Sequence, residues 1–191
     1  MSKKKALDRI EHIVKKCKEC SLNETCSKPV FGEGNFNARI MFIGEAPGRN
    51  EDELGRPFVG KAGKIFDEML VAIGISRNNV YISNILKCRP PKNRNPSKIE
   101  IKKCSDYIDK QIEIISPDII VPMGNYANNY IFNKFKLKIE KISKIHGKIY
   151  SVNSYHKKLK IIPIHHPAAA IYNKIIKNNL LKDFKIIKKN I

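Results

Sequence analysis

The stretch Arg39-Ile-Met-Phe-Ile-Gly-Glu-Ala-Pro-Gly-Arg-Asn-Glu-Asp-Glu-Leu-Gly-Arg-Pro-Phe-Val-Gly-Lys-Ala-Gly63 decides how the rest of the chain is read. Ile40 to Ile43 is a short apolar run suited to a buried strand, and Gly44 closes it. Ala46-Pro47-Gly48 is turn chemistry, because Pro47 biases Ala46 away from helical backbone angles. A second glycine- and proline-punctuated segment, Gly55-Arg-Pro-Phe-Val-Gly60, leads into a helix predicted from Lys61 to about Gly74. A strand, a long structured loop and a helix in that order mark the usual place for an α/β site, outside the carboxyl end of a strand. The loop carries Glu45, Glu51, Asp52 and Phe58, where a plain connector needs only a few polar residues.

The same alternation continues on either side. Upstream, Leu7, Ile10 and Ile13/Val14 sit at helical spacing in a basic N-terminal segment. Downstream, Val80–Leu86 is a strand candidate that runs into Lys87–Pro96, whose prolines exclude regular structure. Ser97 with Glu100 forms a capping box for a helix from about Lys98 to Ile115. Asp118–Gly124 is a third strand and turn, followed by a short helix, Asn125 to about Phe132, and a Lys-rich surface excursion, Asn133–Lys144. Gly147–Val152 alternates like an antiparallel or edge strand. Lys160–Ile164 is a fourth core strand, ending at His165-His166-Pro167, and Ile171–Ile191 is helical in its second half. Strands separated by helices imply parallel pairing. The expected fold is α/β, a three-layer α/β/α sandwich on a central four-stranded, mainly parallel sheet, with residues 1–191 as a single domain.

The chain has 37 Lys+Arg against 18 Asp+Glu, a formal charge of +19. Such an excess fits a polyanionic partner, nucleic acid or an anionic membrane surface. No apolar run approaches the ~18–20 residues that span a bilayer, and the N-terminus lacks the apolar core of a signal peptide. The expectation is therefore an intracellular protein without a membrane role. In a reducing compartment, five cysteines point to metal ligands or free thiols. Cys17-x-x-Cys20, Cys88 and Cys104 are compatible with a zinc site or a four-cysteine iron–sulfur cluster. The sixteen positions between Cys88 and Cys104 are unusual for zinc, whose second pair usually lies close together. Cys26 falls outside this set and reads as a free thiol.

Glu45, Asn84 and His166 each stand at or just past the carboxyl end of a predicted strand, so a parallel sheet brings them to one edge. Singly, each has an ordinary reading: a solvated charge, a turn residue, a satisfied histidine. Together with Phe58 they suit a planar heterocycle, since an amide presents both donor and acceptor to a base edge and an aromatic ring stacks on it. The His-x-Glu…Pro-Cys-x-x-Cys pattern of zinc deaminases and the Gly-rich phosphate loop ending in Lys-Ser/Thr are both missing.

Gly44-Glu-Ala-Pro-Gly48 with Glu51-Asp52, Gly55-Arg-Pro-Phe-Val-Gly60, Asn84-Ile-Leu-Lys-Cys-Arg-Pro-Pro91 and His166-Pro-Ala-Ala169 resemble the family 4 uracil-DNA glycosylases, the iron–sulfur-containing branch. The resemblance runs from about Cys17 to Tyr172. It implies hydrolysis of the N-glycosidic bond of deoxyuridine in DNA, single- or double-stranded, by a monomeric prokaryotic cytoplasmic enzyme. It also implies a structural 4Fe–4S cluster on Cys17, Cys20, Cys88 and Cys104. In the family pattern Phe58 stacks on the flipped uracil, Asn84 bonds its N3/O4 edge and His166 bonds O2, while Glu45, Ala46 and Pro47 line the pocket. Glu51 is the first candidate to hold the attacking water or to exclude thymine's methyl, with Glu45 second and Asn93 a further pocket residue. Leaving-group catalysis fits such a set, because one donor preorganised at O2 contributes ~3 kcal/mol as negative charge develops there.

Two departures from the family pattern stand out. Ile164-His165 replaces a threonine–tyrosine pair, so two neighbouring histidines compete for one role, and His166 is preferred because it precedes Pro167. Cys26 occupies a loop position where a basic residue is expected. The segment Ala168–Lys174 is expected to approach the duplex, and the Lys-rich tail to add salt-sensitive affinity. The competing readings are a non-catalytic DNA-binding module of the same fold, a glycosylase for another damaged base, and a zinc-stabilised nucleic-acid binder.

Overall fold

The computed structural model describes residues 2–154 and 157–191. Helix α1 (Lys3–Lys15) starts at Ser2, whose hydroxyl accepts the Lys5 N–H, and buries Leu7, Ile10 and Val14. A two-residue strand β1 (Glu33–Gly34) precedes β2 (Ile40–Gly44), the strand of the decisive stretch. The long loop after β2 contains a short helix, α2 (Arg49–Leu54), before α3 (Lys61–Ala72). Then come β3 (Tyr81–Asn84), α4 (Lys98–Ile115), β4 (Ile119–Pro122), α5 (Gly124–Lys134) and α6 (Ile142–Ile145). The antiparallel pair β5 (Tyr150–Ser154) and β6 (Lys157–Ile161) follows, and α7 (Lys174–Lys189) closes the chain.

The sheet order is β1-β3-β2-β4-β6-β5. The inner four strands pair in parallel and the two edges antiparallel. The parallel four-stranded core matches the expectation, but the sheet has six strands rather than four. The extra edge β1 is two residues long and contains a glycine, too little for a periodicity to reveal. The fourth core strand also begins earlier than Lys160, and its continuation stays on the sheet through the Ile162 N–H to Ile120 O (3.0 Å) and the bridge between Met123 and Ile164. The expected surface excursion 133–144 ends in α6, which buries Ile142 and Ile145.

Strand β2 shows why three layers form. All five of its residues are buried, and alternate side chains enter opposite cores. Met41 and Ile43 pack in the core that holds Val14 of α1, Ile108 and Ile112 of α4 and Ile131 of α5. Ile40 and Phe42 pack in the other, with Phe66 of α3 and Phe184 of α7. The Phe42 ring lies edge-on to Phe66 (4.9 Å between centroids) and stacks on Phe184 (5.5 Å). Each side chain so buried is worth about 1.5–3 kcal/mol. The capping box at α4 forms as predicted: Ser97 Oγ accepts the Glu100 N–H (3.2 Å) and Glu100 accepts the Ser97 N–H (2.8 Å). Arg94 adds a two-pronged ion pair to Glu100, holding its carboxyl at about 2 and fixing the proline-rich segment against α4.

Candidate base-binding pocket and cysteine cluster

A cavity of about 320 Å³ opens at the carboxyl edge of the parallel strands. Glu45, Ala46, Pro47, Glu51, Phe58, Asn84, Asn93 and His166, all singled out in the sequence, line it, together with Arg94 and Ala168. Parallel register explains much of this convergence. Gly44 of β2 pairs with Asn84 of β3, so Glu45 and Asn84 leave neighbouring strands at one level.

Asn84 is 1% exposed, and its Oδ1 is buried without a hydrogen-bond partner. Leaving such an acceptor unpaired costs about 1–3 kcal/mol, so the site is built with an unmet demand. Gly44 lies directly beneath: a Cβ there would run into both Asn84 Oδ1 and the Phe58 ring.

Phe58 is held in an uncommon left-handed conformation, φ 50°. The surrounding loop fixes it from several sides. Val59 and Gly60 donate their N–H groups to Glu51 Oε1 at 2.8 and 2.7 Å. Arg77 donates to the carbonyls of Phe58 and Pro57 and pairs with Glu33 and Asp67. The Phe58 ring lies 5.6 Å from the His166 ring, centroid to centroid. The Glu51 carboxylate thus sits at the N-terminus of α3, where helix-end donors favour a negative charge, and braces the Phe58 loop. The Glu45 carboxylate, by contrast, has no hydrogen-bond or ion-pair partner among the described residues, and burial pushes its pKa up.

His166 Nδ1 accepts the Ala168 N–H at 3.2 Å, so the proton of the neutral ring belongs on Nε2. Burial pushes the ring's pKa down to about 4, against a smaller opposing pull from Glu51, so the ring is neutral at neutral pH. Gly124 lets the backbone come close behind it; at φ 84°, a Cβ there would sit 3.0 Å from His166 Cβ. His165 turns elsewhere and packs on His146 (4.5 Å between ring centroids), which pairs with buried Asp183 at 2.9 Å. Of the two competing histidines, His166 is the one lining the pocket. Asn93, also left-handed at φ 54° and lining the cavity, accepts from Arg89 Nε at 2.7 Å. Beyond Ala168, Tyr172 and Ile175 are among the most exposed apolar side chains.

Cys17, Cys20, Cys88 and Cys104 line one small cavity of about 20 Å³ behind the pocket wall, with Lys87 and Tyr107. The expectation for Cys26 needs correction, because its sulfur is bonded to that of Cys88. The two lie 62 positions apart, and no local pattern in the sequence announces the contact. Among the described residues no group of three metal-binding side chains converges on a single ion. A 4Fe–4S cluster spreads its four irons apart, so its ligands need surround a volume rather than meet at a point. Four cysteine sulfurs around one cavity fit that demand, provided that Cys88 is released from Cys26. Burial pushes the Cys104 thiol up to about 11, while neighbouring Lys87 pulls the other way.

Lys87 is the site residue that sequence reasoning missed. It is 2% exposed, and its Nζ, with at most three N–H groups to give, lies within hydrogen-bonding distance of four acceptors: Ser83 Oγ and Gln111 Oε1 (both 2.7 Å), Asn84 O (2.9 Å) and Phe31 O (3.2 Å). The available signal was a lysine closing a predicted strand segment, directly after Ile85-Leu86 and ahead of a cysteine.

Comparison with known proteins gives the family. Residues 31–185 match the family model described as the uracil DNA glycosylase superfamily. The chain is 48% identical to the type-4 uracil-DNA glycosylase of Archaeoglobus fulgidus, over 95% of this chain and 92% of that one. It is 48% identical to the type-4 enzyme of Saccharolobus solfataricus, over 95% and 85% of the two chains. To that of Sulfurisphaera tokodaii it is 46% identical, over 96% and 84%.

Proposed function

The chain belongs to the type-4 uracil-DNA glycosylases and excises uracil from DNA, and from that premise we propose how its own residues do so. The observation that carries the reading is the unpartnered Asn84 Oδ1 on the pocket wall. Uracil presents an N3–H donor beside the O4 acceptor, and the Asn84 amide offers the complementary acceptor and donor. Cytosine presents the reverse pattern, an N3 acceptor beside an N4 donor, and would leave buried polar groups on both sides unmet. Phe58 stacks on the flipped ring, and its bracing by Glu51 and Arg77 keeps the slot preformed.

Catalysis follows where charge develops. Breaking the C1′–N1 bond moves negative charge onto uracil and positive charge onto the sugar. The neutral His166 ring, with its proton on Nε2, donates to O2 as that oxygen becomes anionic. Glu45, with no competing partner, holds the attacking water and faces the sugar's positive charge. This reverses the order favoured by sequence, because one oxygen of Glu51 already receives two backbone N–H groups. Ala46 and Pro47 shape the pocket wall, and Asn93 and Arg94 also line it.

With Cys88 released from Cys26, Cys17, Cys20, Cys88 and Cys104 would hold a 4Fe–4S cluster, which would supply a structural tie between the segment after α1, the segment after β3, and α4. Uracil-containing DNA, in one strand or two, is the partner, met by a basic surface of a single-domain monomer acting inside the cell. No described helix is long and apolar enough to cross a membrane. The test is release of free uracil from a uracil-containing oligonucleotide by the parent and by Asn84→Asp. The parent releases uracil, and Asn84→Asp shifts preference toward cytosine. An Asn84→Asp variant that is as fast and as selective as the parent would remove Asn84 from base reading.

A further inference from the structure

Lys87 is buried, polar and unused by the mechanism above. It stands three residues past Asn84 and one before Cys88. Burying a lysine amino group among neutral acceptors is costly, and an apolar side chain would fill the same space without that cost. Its own backbone is pinned on two sides: the Lys87 N–H donates to Cys104 Sγ at 3.3 Å, and its carbonyl accepts the Val30 N–H at 2.6 Å. From that fixed origin the side chain folds back along the end of β3.

Its four contacts are not equivalent. Phe31 O also receives Ser83 Oγ (2.9 Å) and Gln111 Nε2 (3.0 Å). Gln111 Oε1 also receives Ser83 Oγ (3.1 Å). Both of these acceptors keep a donor if the lysine is removed. The remaining contact to the backbone is to the carbonyl of Asn84 itself. Since Asn84 Oδ1 has no partner before the base arrives, that oxygen does nothing to hold the amide in place. Its aim must come from the backbone that carries it and from the close approach of Gly44 and Phe58.

We propose that Lys87 is a positioning residue for base reading: its amino group fixes the Asn84 carbonyl and so aims the Asn84 amide into the pocket. The proposal rests on Asn84 reading the base. It also gives Gln111 a role, because α4 presents Gln111 to the lysine amino group and Cys104 to the lysine N–H. The cluster-bearing helix and the base-reading strand end thereby share one clamp.

The test is a double-mutant cycle with Lys87→Met, Asn84→Ala and the pair. Two quantities are read: single-turnover uracil release, and affinity for an oligonucleotide carrying uncleaved 2′-fluoro-2′-deoxyuridine. Visible absorbance of the cluster and thermal melting report that each variant is folded and loaded. Misplacement of a group in a site costs up to about a hundredfold, so Lys87→Met is expected to lose about tenfold or more in the parent background. In the Asn84→Ala background the further loss should be under about threefold, because the residue being aimed is gone. Lys87→Met should also relax discrimination between uracil and cytosine. Equal losses in both backgrounds would overturn the proposal and leave Lys87 a general structural residue. If Asn84→Ala alone retains full release, the reading of Asn84 fails instead, a distinguishable result. Should Lys87→Met not fold, Lys87→Gln, which retains a donor with shorter reach, takes its place in the same cycle, with the same two outcomes.

Discussion

Replacing His166 by alanine removes two interactions at once, and each has its own readout. The first is the Nε2–H proposed to meet uracil O2. One preorganised donor of this kind is worth about 10²–10³ in rate, or about 3–4 kcal/mol, so single-turnover uracil release should fall by that factor. The second concerns protons. The ring's pKa is pushed from its ordinary 6.5 down to about 4 because burial disfavours the imidazolium. Between those values the unfolded chain binds a proton that the folded chain refuses, so stability rises with pH across the window. Equivalently, stability is lost as pH falls from about 6.5 to about 4, by at most about 3 kcal/mol at 1.36 kcal/mol per unit. His166→Ala lacks that loss. Urea unfolding at about pH 7 and about pH 4 should therefore show the variant losing less stability on acidification than the parent. The rate of the parent should carry no inflection from this histidine near neutral pH. Uracil release by His166→Ala within about threefold of the parent would refute the donor assignment, given the size expected for one donor. An inflection near pH 6.5 in the parent that vanishes in the variant would refute the neutral ring.

Three further outcomes follow from the geometry. Gly44→Ala places a methyl group against Asn84 Oδ1 and the Phe58 ring, so uracil release should drop by about a hundredfold while the melting temperature changes much less. A variant as fast as the parent would show that the base does not sit there. Glu45→Gln should slow single-turnover release with little change in affinity for uncleaved DNA. Glu51→Ala should weaken affinity as well, because it frees the Val59 and Gly60 N–H groups and loosens the Phe58 loop; the opposite pattern would restore Glu51 as the water's holder. Cys88→Ser should abolish the visible absorbance of the proposed cluster, whereas Cys26→Ser should retain it. Loss of absorbance in both would make Cys26 part of the cluster site.

What could be read from sequence and what could not divides along a physical line. Strand β2 was legible because a central parallel strand is buried on both faces, which forces an unbroken apolar run. The start of α4 was legible because the capping box is a contact between residues three apart. The convergence of Glu45, Asn84 and His166 was legible because parallel topology alone brings strand ends together. Other features depend on where distant backbone comes to rest. The pairing of β1 with β3 brings Glu33 opposite Ile82, and a two-residue strand leaves no pattern to find. Glu51 looks like a free carboxylate until the loop returns and presents Val59 and Gly60 to it. The Cys26–Cys88 contact joins segments that share no local signal.

Asn84 and Lys87 make the sharpest pair. In sequence one passes as a turn residue and the other as one more surface lysine in a chain holding 37 Lys+Arg. In the fold both are buried, and their hydrogen-bonding states are opposite: Lys87 contacts four acceptors, while Asn84 Oδ1 has no donor. A satisfied buried polar group fixes structure, whereas an unsatisfied one marks where something else must bind. The two states are joined at the Asn84 carbonyl, where the satisfied group holds the unsatisfied one in place. Residue types at strand ends can therefore locate this pocket, but their division of labour depends on which hydrogen bonds the folded chain completes and which it leaves open for the base.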